Sequence, residues 1–352
     1  MTPPWLLYGA TGYTGELIAR EAARLGMKPV LAGRSREKVA KLAAELNCPS
    51  AVFEIDDHTA MVSALQGVTA VLNCAGPFSA TARSLMQGCL ATHVHYLDIT
   101  GEIDVFELAH SVDEKAKRAG VVLCPGVGFD VVPTDSVAAK LKEALPDASE
   151  LALGFHSHSG LSKGTAKTAV ESSAAGCRVR RDGRIVSIPL GSKTRRIDFG
   201  NGERLAVAIP WGDVSTAYYT TGIGNIEVFT AASPRAVKRL QRMNWLRPLL
   251  KRSLVQKLAK ARIERSLAPP SQTQRESNPS YVWGEVRNPA GKTKTARLRT
   301  PNGYALTVYT ALGILYELLT QPPRSGFFTP SRLVGADFIS TLPHCSPIRI
   351  EP

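Results

Sequence analysis

Near its N-terminus the chain reads Trp5-Leu-Leu-Tyr-Gly9-Ala-Thr-Gly12-Tyr-Thr-Gly15. The run before Gly9 predicts a short buried strand, and a helical pattern follows from Thr14 to Leu25. At a strand–helix junction, the first glycine permits a tight turn and the second lets the backbone approach a pyrophosphate. The third lets the helix pack close to the sheet. The stretch therefore predicts a dinucleotide-binding loop, and an ordinary tight turn is the alternative.

Strands and helices alternate over the residues that follow. Strands are predicted at 28–32, 51–55, 69–73, 94–97 and 121–124. Helices are predicted at 36–46, 58–66, 80–91 and near 104–118. Such alternation is typical of parallel βαβ units with helices on both faces of the sheet. We therefore expect an N-terminal Rossmann domain with a doubly wound parallel sheet.

The pattern changes near residue 130. Asp182-Gly183 and Gly200-Asn201-Gly202 separate β-branched runs, which indicates antiparallel hairpins. We predict an α/β chain with domains at 1–130 (Rossmann) and 131–302 (α+β, mainly antiparallel). Residues 303–352 are predicted as a C-terminal helix and tail that pack back on the domain interface.

The end of the second strand indicates the cofactor. NAD-binding domains place an acid there for the ribose 2′-hydroxyl, whereas an arginine accommodates the 2′-phosphate of NADP. This chain has Arg34 and Ser35, with no acid before Glu37. The sequence favours NADP(H), and a solvated basic loop is the alternative.

Two further loops are expected on the cofactor side of the sheet. Asp56 follows the third strand, where it could meet an adenine edge or cap a helix. Asn73-Cys-Ala-Gly-Pro-Phe78 ends the fourth strand, and ligands bind at the carboxyl ends of parallel strands. The alternative is a purely structural turn.

Composition and charge exclude several classes of protein. Hydrophobic content of 44% and charged content of 21% exclude a disordered chain. No signal peptide is visible, and the six cysteines lack metal-site spacing, so a cytoplasmic protein without metal is expected. Of the net charge of +13, residues 235–265 carry eleven Lys or Arg and one acid.

That basic region is predicted to contain an amphipathic helix over residues 245–266, with leucines at helical spacing between the cations. It would suit the surface of an anionic membrane. The alternative is a helix packed on the second domain with a solvated charged face. We expect no nucleic-acid partner, because the region has few aromatic residues for stacking; a homodimer stays open.

The motifs together resemble the saccharopine dehydrogenase-like NADP-binding oxidoreductases, in particular the group of trans-acting enoyl reductases. To the loops above the resemblance adds Tyr96-Leu-Asp-Ile-Thr-Gly-Glu102, Pro125-Gly-Val-Gly-Phe-Asp130 and Thr221-Gly-Ile-Gly-Asn-Ile-Glu-Val228. It also includes Gly212-Asp213, Thr329-Pro330 and Gly335-Ala-Asp-Phe338. The resemblance implies that the first domain binds NADP(H) and the second encloses the substrate. Lys163, in Gly160–Thr165, departs from the small residue expected in that family's turn.

We therefore predict a set of cofactor-binding residues in the first domain. They are Gly9, Thr11, Gly12, Tyr13, Thr14, Gly15, Arg34, Ser35, Asp56, Asn73, Ala75, Gly76, Pro77, Phe78 and Gly101.

No residue is assigned as catalytic from the sequence. Asp98, Glu102 and Asp130 are candidate proton donors at the ends of predicted strands, and the alternative for Asp98 and Asp130 is that they organise loops. In the second domain His156, His158, Tyr218 and Tyr219 are further candidates, each more often a core or rim residue.

The expected function is NADPH-dependent reduction of an activated C=C bond in a lipid-like substrate. No Tyr-x-x-x-Lys pair occurs in the chain, which argues against the short-chain dehydrogenase mechanism. Reduction of a C=N bond and NADPH sensing without turnover are the alternatives. The C=N alternative needs partners for substrate carboxylates, for which Arg178, Arg180 and Arg181 are available.

Overall fold

The computed structural model describes residues 3–157, 176–250, 255, 278–321 and 324–351. The chain divides into two compact units, each with its own β-sheet. The first unit contains Met1–Asp130 and Tyr304–Val334, and the second contains Val131–Gly303 and Gly335–Pro352.

The secondary-structure elements begin with six strands and six helices in near alternation. They are β1 (Trp5–Tyr8), α1 (Tyr13–Arg24), β2 (Val30–Gly33), α2 (Arg36–Leu46), β3 (Ser50–Val52), α3 (His58–Leu65), β4 (Ala70–Asn73), α4 (Phe78–Thr92), β5 (His95–Asp98), α5 (Ile103–Ser111), α6 (Asp113–Ala119) and β6 (Val122–Cys124).

Ten strands and six helices follow in the described residues. They are α7 (Val132–Ala144), β7 (Glu150–Ser157), β8 (Cys177–Arg181), β9 (Arg184–Ile188), β10 (Thr194–Asp198), β11 (Glu203–Ala208), α8 (Asp213–Thr221), β12 (Asn225–Ala231), α9 (Pro234–Leu250), β13 (Ser280–Arg287), β14 (Thr293–Thr300), α10 (Gly303–Thr320), β15 (Gly326–Phe327), α11 (Pro330–Val334), α12 (Phe338–Thr341) and β16 (Arg349–Glu351).

The sheet of the first unit has seven strands in the order β15-β6-β5-β4-β1-β2-β3. Every pairing in it is parallel. The strand order reverses between β1 and β4, as it does at the switch point of a doubly wound fold. Leu6 and Leu7 of β1 are fully buried because helices cover both faces. The predicted Rossmann architecture is confirmed.

Element boundaries differ from the sequence prediction in ways that have local causes. β2 begins at Val30, after Pro29, because proline has no N–H to donate to a neighbouring strand. The helix predicted near 104–118 is two helices, since Val112 leaves helical geometry with φ −110° and ψ 15°. The strand predicted at 51–55 is shorter and ends at Val52. α4 begins at Phe78 instead of residue 80 because a distant carboxylate, described below, caps it.

The second unit contains a nine-stranded sheet whose main path is β10-β11-β12-β7-β13-β14-β16. Its pairings are antiparallel except β7 with β12. Two predicted hairpins are confirmed, β8–β9 and β10–β11. In the first, Asp182 and Gly183 both have positive φ, the geometry of a two-residue type I′ turn.

Side chains on the central strands of this sheet alternate between its two faces. A Cβ at Gly284 would lie 2.6 Å from Val137 Cγ1, so α7 packs directly on β13 at this glycine. The neighbouring Trp283 points to the other face, into a core with Phe199 and Phe229. Leu240 and Met243 of α9 pack against that core.

Residues 303–352, predicted as one C-terminal segment, are divided between the two units. Gly326 and Phe327 pair with β6 and extend the parallel sheet at its edge. Residues 349–351 pair with β14 in the sheet of the second unit.

His158, the 160–165 turn and most of the predicted helix 245–266 lie outside the described residues. Among the residues that the structure does describe, no helix is long and apolar enough to cross a bilayer.

Candidate cofactor-binding site

The glycine loop lies between β1 and α1, where the sequence predicts it. Gly9 has φ +78°, and a Cβ on it would lie 2.8 Å from the backbone nitrogen of Ala75. A Cβ on Gly15 would lie 2.2 Å from the carbonyl oxygen of Gly9. Distances below 3 Å are not tolerated, so the first and third glycines are required by close backbone approach.

The loops after β1 and β4 meet at the switch point of the sheet. Cys74 donates its backbone N–H to the carbonyl of Tyr8 at 2.8 Å, and Gly9 and Ala75 are in direct contact. Because this is the crevice where α/β sheets bind nucleotides, the structure brings the predicted residues 9–15 and 73–78 to one edge.

The N-terminus of α1 directly follows the glycine loop. Gly12 occupies the N-cap position and has no side chain with which to cap the helix. By contrast, Asp57 caps α3 by accepting a hydrogen bond from the N–H of Ala60 at 2.9 Å. Free N–H groups and the helix dipole favour a phosphate at such a terminus.

Arg34 follows β2 directly and is exposed. It makes no ion pair with any side chain in the described part of the chain. Ser35 occupies the N-cap position of α2, but its hydroxyl makes no capping hydrogen bond. Both side chains are therefore available to a ligand. Thr11 reaches toward the same strand end, since its Oγ1 lies 3.9 Å from a Cβ built on Gly33.

The residues that follow β3 lie close to Tyr8 at the end of β1. Phe53 stacks on Tyr8 with ring centroids 4.8 Å apart. Burial raises the pKa of Tyr8, and the nearby Arg34 partly opposes that rise. Asp56 is exposed and close enough to act on the same hydroxyl. The predicted contact of Asp56 with adenine stays a prediction.

A buried polar network joins the ends of β4 and β5. Asn73 Nδ2 donates to the Tyr96 hydroxyl at 3.2 Å, and that hydroxyl donates to Asp98 Oδ2 at 2.8 Å. Asn73 Oδ1 accepts the N–H of Ala75 at 3.0 Å, which fixes the turn after β4. Thr81 completes the network by accepting from Asn73 at 3.1 Å and donating to the Ala75 carbonyl at 2.8 Å.

Asp98 also holds the loops after β5 and β6. Its Oδ1 accepts the backbone N–H groups of Thr100 at 3.0 Å and Gly126 at 2.9 Å. Burial raises the pKa of this fully buried carboxyl to about 7, although the hydrogen bonds from Thr100, Gly126 and Tyr96 oppose the shift. With Tyr96, Thr100 and Gly126 as donors, Asp98 organises the loops around it.

Glu102 has a structural role at the N-terminus of α4. Its two carboxylate oxygens accept the N–H groups of Phe78 at 2.9 Å and Ser79 at 2.8 Å. The carboxylate therefore supplies the cap and the negative charge that a helix N-terminus favours. Sequence inspection did not reveal this because the cap lies 24 residues from the helix start.

Asp130 lies against Gly101, since a Cβ on that glycine would be 2.9 Å from Asp130 Oδ2. The side chain is half-buried, and desolvation raises the pKa of its carboxyl to about 7. A carboxyl with such a pKa is protonated in a large fraction of molecules near neutral pH and can donate that proton.

Two residues of α10 join this unit without any signal in the sequence. The ring of Tyr304 meets that of Tyr13 edge to face, with centroids 5.0 Å apart. Thr307 Oγ1 accepts the N–H of Phe129 at 3.0 Å and contacts Gly128. Tyr13, at the start of α1, is thus held by a helix nearly 300 residues later in the chain.

The remaining candidates lie in the second unit. His156 is on β7, with its ring 6.5 Å from that of Tyr281 on β13. Tyr218 and Tyr219 on α8 stack with Arg180, whose guanidinium carbon lies 4.2 Å from the Tyr218 ring centroid.

Comparison with known proteins identifies the first part of the chain. Residues 5–124 match the family described as "Saccharopine dehydrogenase NADP binding domain". Over these residues the chain is similar to that NADP-binding domain family. The glycine cap of α1, the glycine cradle and the available Arg34 all fit NADP(H) as the cofactor.

Relatives match over part of the chain. A human "Saccharopine dehydrogenase-like oxidoreductase" is 30% identical over 150 residues, which are 37% of this chain and 35% of the relative. A Mycobacterium tuberculosis protein named as a candidate trans-acting enoyl reductase is 34% identical over 155 residues. That alignment covers 41% of this chain and 36% of the relative, so both matches span about a third of the relatives' length.

One solved structure resembles the whole chain. Apo histidine-tagged saccharopine dehydrogenase (L-Glu forming) from Saccharomyces cerevisiae superposes with a TM-score of 0.66 over 99% of each chain. At 10% identity the likeness shows the fold alone, which for this chain is an NADP-binding domain followed by a mainly antiparallel second unit.

Proposed function

We propose that the protein is an NADPH-dependent reductase that acts on an activated C=C bond of a lipid-like substrate. The choice of NADPH as the cofactor rests on Arg34. This residue is exposed after β2 and has no ion-pair partner among the described residues. A guanidinium in this place pairs with a 2′-phosphate, and a phosphate pair of this kind is a strong charge-assisted contact.

The first unit orients the cofactor in this proposal. The N–H groups at the start of α1 would hold the pyrophosphate, and the backbone of residues 74–77 would line the cofactor site. The network from Asn73 to Asp98 keeps that backbone in place. When bound, NADPH supplies a hydride, so the protein needs to position the acceptor and provide a proton.

We assign the proton to Asp130. Asp98 holds Tyr96, Thr100 and Gly126 through its oxygens, and Glu102 caps α4, so both serve the fold. The pKa of the Asp130 carboxyl is raised to about 7 by desolvation, which suits a general acid near neutral pH.

The choice of a C=C bond is supported by the name of the mycobacterial relative, which describes enoyl reduction. Reduction of a C=N bond is the second candidate, favoured by the shared fold with saccharopine dehydrogenase. That reaction needs cations for substrate carboxylates. Arg180 instead donates to the carbonyls of Val214 and Gly183, and Arg181 pairs with Glu227.

The first experiment is titration with NADPH and NADH, followed by nicotinamide fluorescence. We expect selective binding of NADPH, and Arg34→Ala should weaken it by roughly 10- to 100-fold with little effect on NADH. Lys41→Ala, which removes an exposed cation later on α2, is the matched control and should leave both affinities unchanged. If neither nucleotide binds, the proposal fails.

Turnover is then tested with α,β-unsaturated thioesters and with imines formed from a 2-oxo acid and an amine. NADPH oxidation with the thioesters supports the proposal, whereas oxidation with imines alone replaces it. Tight NADPH binding without oxidation by either class would indicate a sensor. With Asp130 as the acid, the rate should fall about tenfold per pH unit above about pH 7. Asp130→Asn should be slow and should lose that pH dependence.

A further inference from the structure

The outward face of α9 carries four cations within two turns of helix. Arg235, Lys238, Arg239 and Arg242 are all exposed. None of them makes an ion pair or hydrogen bond with any residue in the described part of the chain. At 100° per residue the four lie within a sector of about 100° on the helix surface.

The rotation of α9 is fixed by contacts on the opposite side. Gln241 Nε2 donates to the carbonyl of Gly191 at 3.0 Å, and Asn244 donates to the carbonyl of Leu190 at 2.9 Å. Leu240 packs into the core of the second unit. Because Leu240 faces inward and the two hydrogen bonds anchor the helix to residues 190–191, the four cations are directed away from the core as one surface.

Trp245 flanks this surface. Its side chain is 89% exposed, the largest exposure among the large hydrophobic side chains that the structure describes. Trp245 follows Lys238 by seven residues, so the two side chains project from the helix in nearly the same direction. A tryptophan beside a row of cations is the arrangement found where proteins meet the headgroup layer of a membrane.

We infer that residues 235–245 form a docking surface for an anionic lipid membrane. The cations attract acidic headgroups, and Trp245 enters the interfacial layer. Apolar side chains of α9, such as Leu240, pack inward, so attraction is mainly electrostatic and differs from insertion of an amphipathic helix. A convex helix with one aromatic residue fits a flat surface better than single-stranded nucleic acid, which is bound in grooves by successive aromatic residues.

Vesicle co-sedimentation of the full chain tests this inference. We expect binding to phosphatidylcholine vesicles that contain phosphatidylglycerol, none to phosphatidylcholine alone, and loss of binding as salt is added. Each elementary charge near the surface contributes about fivefold to partitioning. Lys238→Glu with Arg242→Glu should therefore reduce binding on the order of a hundredfold or more.

The matched control reverses two exposed cations on α6, Lys115→Glu with Arg118→Glu, and changes the net charge equally. It should bind like the wild type. Unchanged NADPH affinity in both double variants shows that they are folded, and keeps this test separate from that of the proposed function.

Tryptophan fluorescence provides a second readout. Trp5 and Trp283 are buried and Trp211 is half-buried. A blue shift on adding anionic vesicles that disappears in Trp245→Phe therefore places Trp245 in the interface. Equal loss of binding in the α6 control, or no binding at low salt, would overturn the inference. So would binding of a single-stranded oligonucleotide without any vesicle-induced shift.

Discussion

The hydroxyl of Tyr96 donates a 2.8 Å hydrogen bond to Asp98 Oδ2, two residues further along the same strand. The same hydroxyl accepts from Asn73 on the neighbouring strand. One oxygen atom therefore connects the ends of β4 and β5, the loops of which form the candidate site. The pKa of Tyr96 is raised well above its ordinary value, first by burial and then by the charge of Asp98, so the hydroxyl remains a donor.

Removal of this hydroxyl should destabilise the first unit. Tyr96→Phe leaves the buried Asp98 Oδ2 without its donor and removes one of the two acceptors of Asn73 Nδ2, and we expect a loss of about 2–4 kcal/mol in the free energy of unfolding. Tyr8→Phe is the control, because its hydroxyl makes only a long contact of 3.5 Å with the Phe53 carbonyl. Chemical denaturation measures both, and equal losses would contradict the importance of the network.

The third glycine of the loop should not tolerate even a methyl group. Gly15→Ala places a Cβ 2.2 Å from the Gly9 carbonyl oxygen, so α1 must shift. We expect a loss of about 3 kcal/mol or more in stability, together with loss of NADPH binding. Gly76→Ala, whose Cβ would meet Phe78 at an ordinary 3.6 Å, should keep wild-type stability. Thermal unfolding and NADPH titration distinguish the two.

The capping of α4 by Glu102 can be tested by replacing one atom of that side chain. Glu102→Gln replaces a carboxylate oxygen by an amide nitrogen that faces the N–H of Phe78 or Ser79. We expect a loss of about 1–2 kcal/mol in the free energy of unfolding. Glu114→Gln changes an exposed carboxylate paired with Lys117 on the surface and should cost about 0.5 kcal/mol or less. A negligible effect at Glu102 would refute the capping role.

Stability should depend on pH through the buried carboxyl of Asp98. The pKa in the folded protein is about 7, above the ordinary 3.8, so the folded state binds more protons than the unfolded state between these pH values. The contribution of Asp98 is thus greatest below about pH 4 and is lost as pH rises toward 7, at about 1.4 kcal/mol per pH unit. Unfolding at several pH values should show a weaker decline in Asp98→Asn than in wild type.

The first unit could be predicted well because its determinants are local. Gly9, Gly12 and Gly15 stand in one short stretch, and parallel strands buried on both faces are visible as apolar runs. The turn at Asp182-Gly183 was also predictable, since few residues accept positive φ at two consecutive positions.

What sequence reasoning missed depends on contacts between distant segments. Glu102 looked like a candidate acid because nothing near it in sequence reveals that α4 needs a cap. Tyr96 could have been noticed, since Asn73 and Asp98 are paired in register across β4 and β5. Tyr304 and Thr307 could not, because no local pattern connects α10 with the loops at Tyr13 and Gly128.

The short strand β15 completes the sheet of the first unit with residues from a late part of the chain. Gly326 donates its N–H to the carbonyl of Val121, and Phe328 donates to that of Leu123, so these late residues cover the open edge of β6. During synthesis, β6 emerges from the ribosome about two hundred residues before its neighbour does. Until β15 has been synthesised, the outer edge of β6 has no neighbouring strand. The partly folded Rossmann sheet is therefore most susceptible to strand pairing with other molecules at this stage of synthesis.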